Sequence, residues 1–67
     1  MEMERYELKT DFTDWIEVSK FEWIRAERAA GFRPKISSTD PHYMQTCATG
    51  GFSSSGGISG RIRYEPA

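Results

Sequence analysis

One histidine, His42, and one cysteine, Cys47, stand five residues apart in the 67-residue chain. A thiol–imidazole pair works as a nucleophile when the ring takes the thiol proton, which requires hydrogen-bond contact and a third group to orient the ring. The sequence nominates no third group. As metal ligands, one His and one Cys fall short of the four-ligand set of structural zinc. The carboxylates Asp11 and Asp14 fall in a turn-rich stretch, where solvation is the default. These residues predict no catalytic set, no metal site and no cofactor, and therefore a protein that is not an enzyme.

The segment G-G-F-S-S-S-G-G-I-S-G-R, residues 50–61, invites a phosphate-loop reading. Gly51 and Gly56 have the spacing of the two glycines in G-x-x-x-x-G-K-[ST]. Gly57 and Ile58, however, occupy the Lys and Ser/Thr positions, and a strand rather than a helix follows. A dinucleotide fingerprint fails for the same reason, because no helix N-terminus receives the phosphates. A hairpin turn, with glycines supplying positive φ, accounts for the segment.

The remaining chemistry is that of contact. At about 100° per residue, Phe21 falls between the directions of Arg25 and Arg28 on the helix predicted below. An apolar anchor framed by two guanidinium groups has the composition of a binding hot spot. Phe12 and Trp15, near a predicted hairpin turn, form a second candidate surface. Each could equally be core or a homodimer contact. Arg61 and Arg63, two apart on a predicted strand, are the candidates for a nucleic-acid-binding module. Outward Glu7 and Glu17 on neighbouring strands would cancel that patch through cross-strand ion pairs.

The elements that must position these residues are well punctuated. Ser19 and Glu22 form an S-x-x-E capping box, with Val18 and Trp23 at the spacing of a hydrophobic staple. Gly31 suits the left-handed position after a helix, and Pro34 forbids continuation. A helix over 20–30 follows, its sheet-facing side built from Trp23, Ala26 and Ala30, with Ile24 and Glu27 on one flank. Alternation predicts a strand over 4–10 with Tyr6 and Leu8 inward, and a second over 15–18 joined to it as a hairpin. Residues 33–44 read as an irregular connection, 45–52 as a strand interrupted by Gly50 and Gly51, and 58–64 as a last strand with Ile58, Ile62 and Tyr64 on one face. The expected architecture is a single α+β domain over 1–67, β-β-α-β-β, an antiparallel sheet with one helix on one face.

Sixty-seven residues lie near the lower limit for a chain held by a hydrophobic core alone, and a lone cysteine makes no internal disulfide. Nine aromatic residues supply compensation, and dimerisation is the other common remedy. No apolar run approaches a membrane span, and M-E-M-E-R is too acidic for a signal peptide. The net charge of −1 is unevenly spread. Residues 1–22 hold seven acids against three bases, net −4, and residues 23–67 hold six bases against three acids, net +3. The two halves either neutralise each other in the fold or leave a dipolar surface that steers a charged partner.

The segments W-I-E-V-S (15–19), E-R-A-A-G-F-R-P-K (27–35), A-T-G-G-F (48–52) and G-I-S-G-R (57–61) resemble small accessory proteins of tailed bacteriophages. That resemblance implies a phage or prophage protein working in bacterial cytoplasm and acting stoichiometrically by covering a surface of a host protein. Anti-CRISPR and other counter-defence inhibitors are of this kind. The expected function is a non-enzymatic protein that binds and inhibits or redirects a bacterial host protein or defence complex. The alternative is a small nucleic-acid-binding or regulatory module using the helix and last-strand arginines.

Overall fold

A serine on one side and a glycine on the other set the length of the single helix. The computed structural model of the chain describes residues 2–66. Strand β2 (Ile16–Val18) ends at Ser19, whose Oγ accepts the Glu22 N–H at 3.1 Å and so caps helix α1 (Lys20–Ala29). At the far end Gly31 takes φ +100°, its N–H donating to Arg28 O at 3.0 Å, while the Phe32 N–H donates to Glu27 O at 3.2 Å. These two bonds make a Schellman motif, which satisfies carbonyls that a helix end otherwise leaves open. It also turns Phe32 back toward the core.

The sheet has four strands in the order β2-β1-β4-β3, with β1 at Glu2–Lys9, β3 at Gly51–Ser53 and β4 at Ser59–Pro66. Every pairing is antiparallel. The long central strands pair from Glu2↔Pro66 to Lys9↔Ser59. The two edge strands are only three residues each, and short edges offer little template for unwanted pairing. A three-residue loop joins β3 to β4: the Gly57 N–H donates to Ser54 O at 3.1 Å, and the Ser54 N–H to Ile58 O at 2.8 Å. Gly57 supplies the positive φ of +88° that closes such a loop. The fold is thus the expected α+β arrangement, an antiparallel sheet with one helix on one face, within Cα extents of 34 × 34 × 14 Å.

Alternation sorts the central strands into two chemistries. Toward the helix point Tyr6 and Leu8 of β1, Ile62 of β4 and Phe52 of β3. Trp23 and Ile24 of α1 are fully buried against them. The Trp23 ring sits edge-on between Tyr6, at 6.0 Å between centroids, and Phe52, at 5.2 Å. Its indole N–H donates to Glu7 O at 3.1 Å, so burying the ring strands no polar group. Phe52 in turn lies over Gly60, where an added Cβ would come within 2.3 Å of the ring. Glycine there is a packing requirement of the aromatic core. The opposite face of the sheet carries Arg5, Glu7, Arg61, Arg63 and Glu65, and among the described residues no helix or strand covers it.

The expected strand over 45–52 is much shorter. Tyr43–Gln45 forms one 3-10 turn, and only Gly51–Ser53 joins the sheet. Residues 46–49 direct their backbone elsewhere. The Ala48 and Thr49 N–H groups donate to the Glu27 carboxylate on the helix, at 3.0 and 2.8 Å, instead of entering a ladder.

Candidate functional site

The helix-borne candidate of Phe21, Arg25 and Arg28 does not survive as a unit. Phe21 and Arg25 are exposed, but Arg28 is buried. Its Nη1 donates to Glu27 Oε1 at 2.8 Å, and its Nη2 to Tyr43 O and Thr46 O at 2.9 and 2.6 Å. The guanidinium also stacks over the Tyr43 ring, 4.7 Å from its centroid. The helical angles placed Arg28 correctly beside Phe21, but segment 43–46 folds over that flank and claims the side chain. Arg28 is a fastening for an irregular loop, not a surface group.

Its partner Glu27 was read only as a flank of the apolar face and has a larger role. The side chain is completely buried, and its two oxygens accept from Arg28, the Ala48 N–H, the Thr49 N–H and the Thr49 hydroxyl, the last at 2.7 Å. A buried carboxylate is tolerable only with this degree of pairing. The available signal was an acid at i+4 from Trp23 and i−3 from Ala30, inside the stripe that faces the sheet.

The second candidate surface separates into two different environments. Trp15 is half-buried on the uncovered sheet face, with the Arg61 guanidinium 4.0 Å from its ring centroid. Phe12 is 96% exposed. Its loop is nevertheless tied down locally. The Phe12 N–H donates to Thr10 Oγ1 at 3.2 Å, the Thr10 N–H to Thr13 Oγ1 at 3.1 Å, and the Trp15 N–H to Asp14 Oδ1 at 2.8 Å. The Asp11 carboxylate lies over Gly57 of the neighbouring turn, where a Cβ would meet it, and Gly57 takes φ +88°. The result is a large apolar ring presented to solvent from hydrogen-bonded backbone.

Arg61 and Arg63 stand on the uncovered face, as the register requires, but as members of an ion-pair lattice. Arg61 Nε meets Glu7 Oε1 at 2.7 Å, and Arg63 lies 3.9 Å from Glu7 and 3.7 Å from Glu65. Arg5 closes the lattice with Glu65 at 3.0 Å. Of the first-half acids, Glu7 thus meets the second-half bases Arg61 and Arg63 across β1 and β4. Among the described residues, Asp11, Asp14, Glu17 and Glu22 take no part in these ion pairs.

His42 and Cys47 do not form a reactive pair. His42 is exposed, with Nδ1 at 3.2 Å from Gln45 Oε1. Cys47 is half-buried at the rim of the core, where burial and the nearby Glu27 charge push its thiol above the ordinary range, the reverse of an activated thiolate. No group of three or more His, Cys, Asp or Glu gathers as a metal site among the described residues. Among the described residues no helix is long and apolar enough to cross a membrane. No protein-family model, curated protein or solved structure matches the chain.

Proposed function

We propose that this chain is a non-enzymatic, phage-type accessory protein that binds a bacterial host protein and inhibits or redirects it, with a counter-defence inhibitor as the sharpest form of that reading. The setting, bacterial cytoplasm, comes from the resemblance of the four sequence segments. The observation that carries the binding role is Phe12. A phenylalanine held in solvent by an ordered loop forfeits the burial worth about 1.5–3 kcal/mol that the core would give it. The hydrogen bonds at Thr10, Phe12 and Trp15 restrict the backbone that carries the ring, so less backbone freedom is lost on association.

The nucleic-acid alternative relies on the helix and last-strand arginines; Arg61 and Arg63 already face carboxylates and Arg28 is buried against Glu27, which leaves it Arg25. Pull-down of the tagged chain from bacterial lysate, with and without nuclease, separates the two readings. One dominant protein partner that survives nuclease supports the binding reading. Capture that disappears with nuclease supports the alternative instead.

A further inference from the structure

The large exposed apolar side chains are not scattered evenly. Phe12, Ile16 and Phe21 fall within ten consecutive residues. That stretch runs along one side of the molecule: the loop before β2, edge strand β2 itself, and the first turn of α1. β2 pairs only with β1, so its outer edge is open. With the flanking residues included, 11–22 carries four exposed acids, Asp11, Asp14, Glu17 and Glu22, against the single base Lys20, a local charge of −3. The exposed bases outside the ion-pair lattice are Lys9 just before these residues, Lys20 among them, and Arg25, Arg33 and Lys35 after them, so the edge keeps an acidic excess. Segregation of this kind selects partners by sign.

We infer that the edge spanning residues 11–22 docks a basic protein surface, with Phe12 entering an apolar pocket rimmed by lysine and arginine side chains. The inference rests on the binding reading above and adds to it the face used and the chemistry of the partner. Three features fit one occupant. Apolar groups spaced along an edge suit a protein surface with matching pockets. Unpaired carboxylates around them repel a nucleic-acid backbone and attract ammonium and guanidinium groups. The threonine-braced loop fixes the backbone position from which Phe12 projects, which lowers the backbone ordering needed to seat it in a pocket.

The test uses the full chain carrying photoreactive p-benzoylphenylalanine at position 12 or 21, and at position 36 or 64 as controls on other exposed apolar sites. Each version is irradiated in bacterial cells, and adducts are mapped by mass spectrometry. The inference predicts that positions 12 and 21 label one protein on a segment rich in lysine and arginine. It further predicts at least a tenfold loss of adduct in the double variant Asp14→Asn, Glu17→Lys, which keeps the Oδ1 acceptor for the Trp15 N–H and whose melting temperature should stay near that of the parent. Labelling from position 36 or 64 alone overturns the proposed face while leaving a binding protein. Labelling from position 12 that survives in the double variant, or that maps to an acidic segment, overturns the basic partner. Absence of adducts at all four positions overturns both this inference and the binding reading.

Discussion

The Glu27 carboxylate accepts both the backbone N–H and the side-chain hydroxyl of Thr49, at 2.8 and 2.7 Å. Twenty-two residues apart in sequence, these two groups join the helix to the segment that leads into β3. With Arg28 they add to the contacts that Met44 and Cys47 of segment 43–49 make with the core. A domain of this length has only about 3–10 kcal/mol of stability in total, so one buried pair is a large fraction of it.

Substitution of the pair should therefore be graded. Thr49→Ala removes one hydrogen bond to a charged acceptor and is expected to cost about 1.5–3 kcal/mol. Glu27→Ala leaves the Arg28 guanidinium buried without its counter-charge and should cost about 3–5 kcal/mol. Urea unfolding followed by tryptophan fluorescence measures both. Equal, small effects would mean that the loop is held by something else.

Gly60 and Phe52 form a second coupled pair. An added Cβ at Gly60 forces the Phe52 ring to move, because the ring edge occupies that space. Gly60→Ala should destabilise by about 1–3 kcal/mol. In a Phe52→Ala background the same substitution should be nearly neutral, and that non-additivity in a double-mutant cycle is the signature.

On the uncovered face, the Arg61 guanidinium lies between the Glu7 carboxylate and the Trp15 ring. The Trp15–Arg61 coupling, measured by a double-mutant cycle on stability, should be about 0.5–1 kcal/mol, the range for a partly exposed cation–π contact. Added salt should weaken the Arg61–Glu7 pair and spare most of the stacking.

Alkaline pH should weaken the fold through Tyr6 and Cys47. Burial, reinforced by the hydrogen bond from Tyr6 Oη to Glu4 Oε2, pushes the Tyr6 phenol up; burial and the Glu27 charge push the Cys47 thiol up. Both groups are neutral when protonated, and the folded state holds their protons more tightly than the unfolded chain does. Their contribution is complete below the ordinary thiol value of about 8.5 and is lost as pH rises through the higher folded-state values. Denaturation midpoints measured between pH 7 and 11 should fall with pH. The double variant Tyr6→Phe, Cys47→Ala should show a flatter profile.

What was legible in the sequence is what short-range chemistry determines. Ser19 and Gly31 each act within a few residues, so both ends of α1 could be read. The alternation of Tyr6 with Leu8 and of Ile62 with Tyr64 depends only on the two-residue period of a strand. The role of Arg28 could not be read that way. Its burial depends on where segment 43–46 goes, and that segment has no period of its own. The same blindness extended the strand at 45–52, because the backbone donors of Ala48 and Thr49 find a carboxylate on the helix rather than a neighbouring strand. Phe12 and Trp15, three residues apart, looked like one surface. A single guanidinium arriving from β4 across the sheet gives Trp15 a partner and leaves Phe12 without one.

The central claim is that Phe12 exists for a partner rather than for the fold, and Phe12→Ala tests it most directly. Thermal unfolding and affinity for the captured partner should be measured on the same preparation. Phe12 is almost wholly exposed, so its removal should change stability by less than about 0.5 kcal/mol. Loss of an anchor should weaken binding by about 2 kcal/mol or more, roughly thirtyfold. Unchanged affinity, or a loss of affinity that follows a comparable loss of stability, would contradict the account.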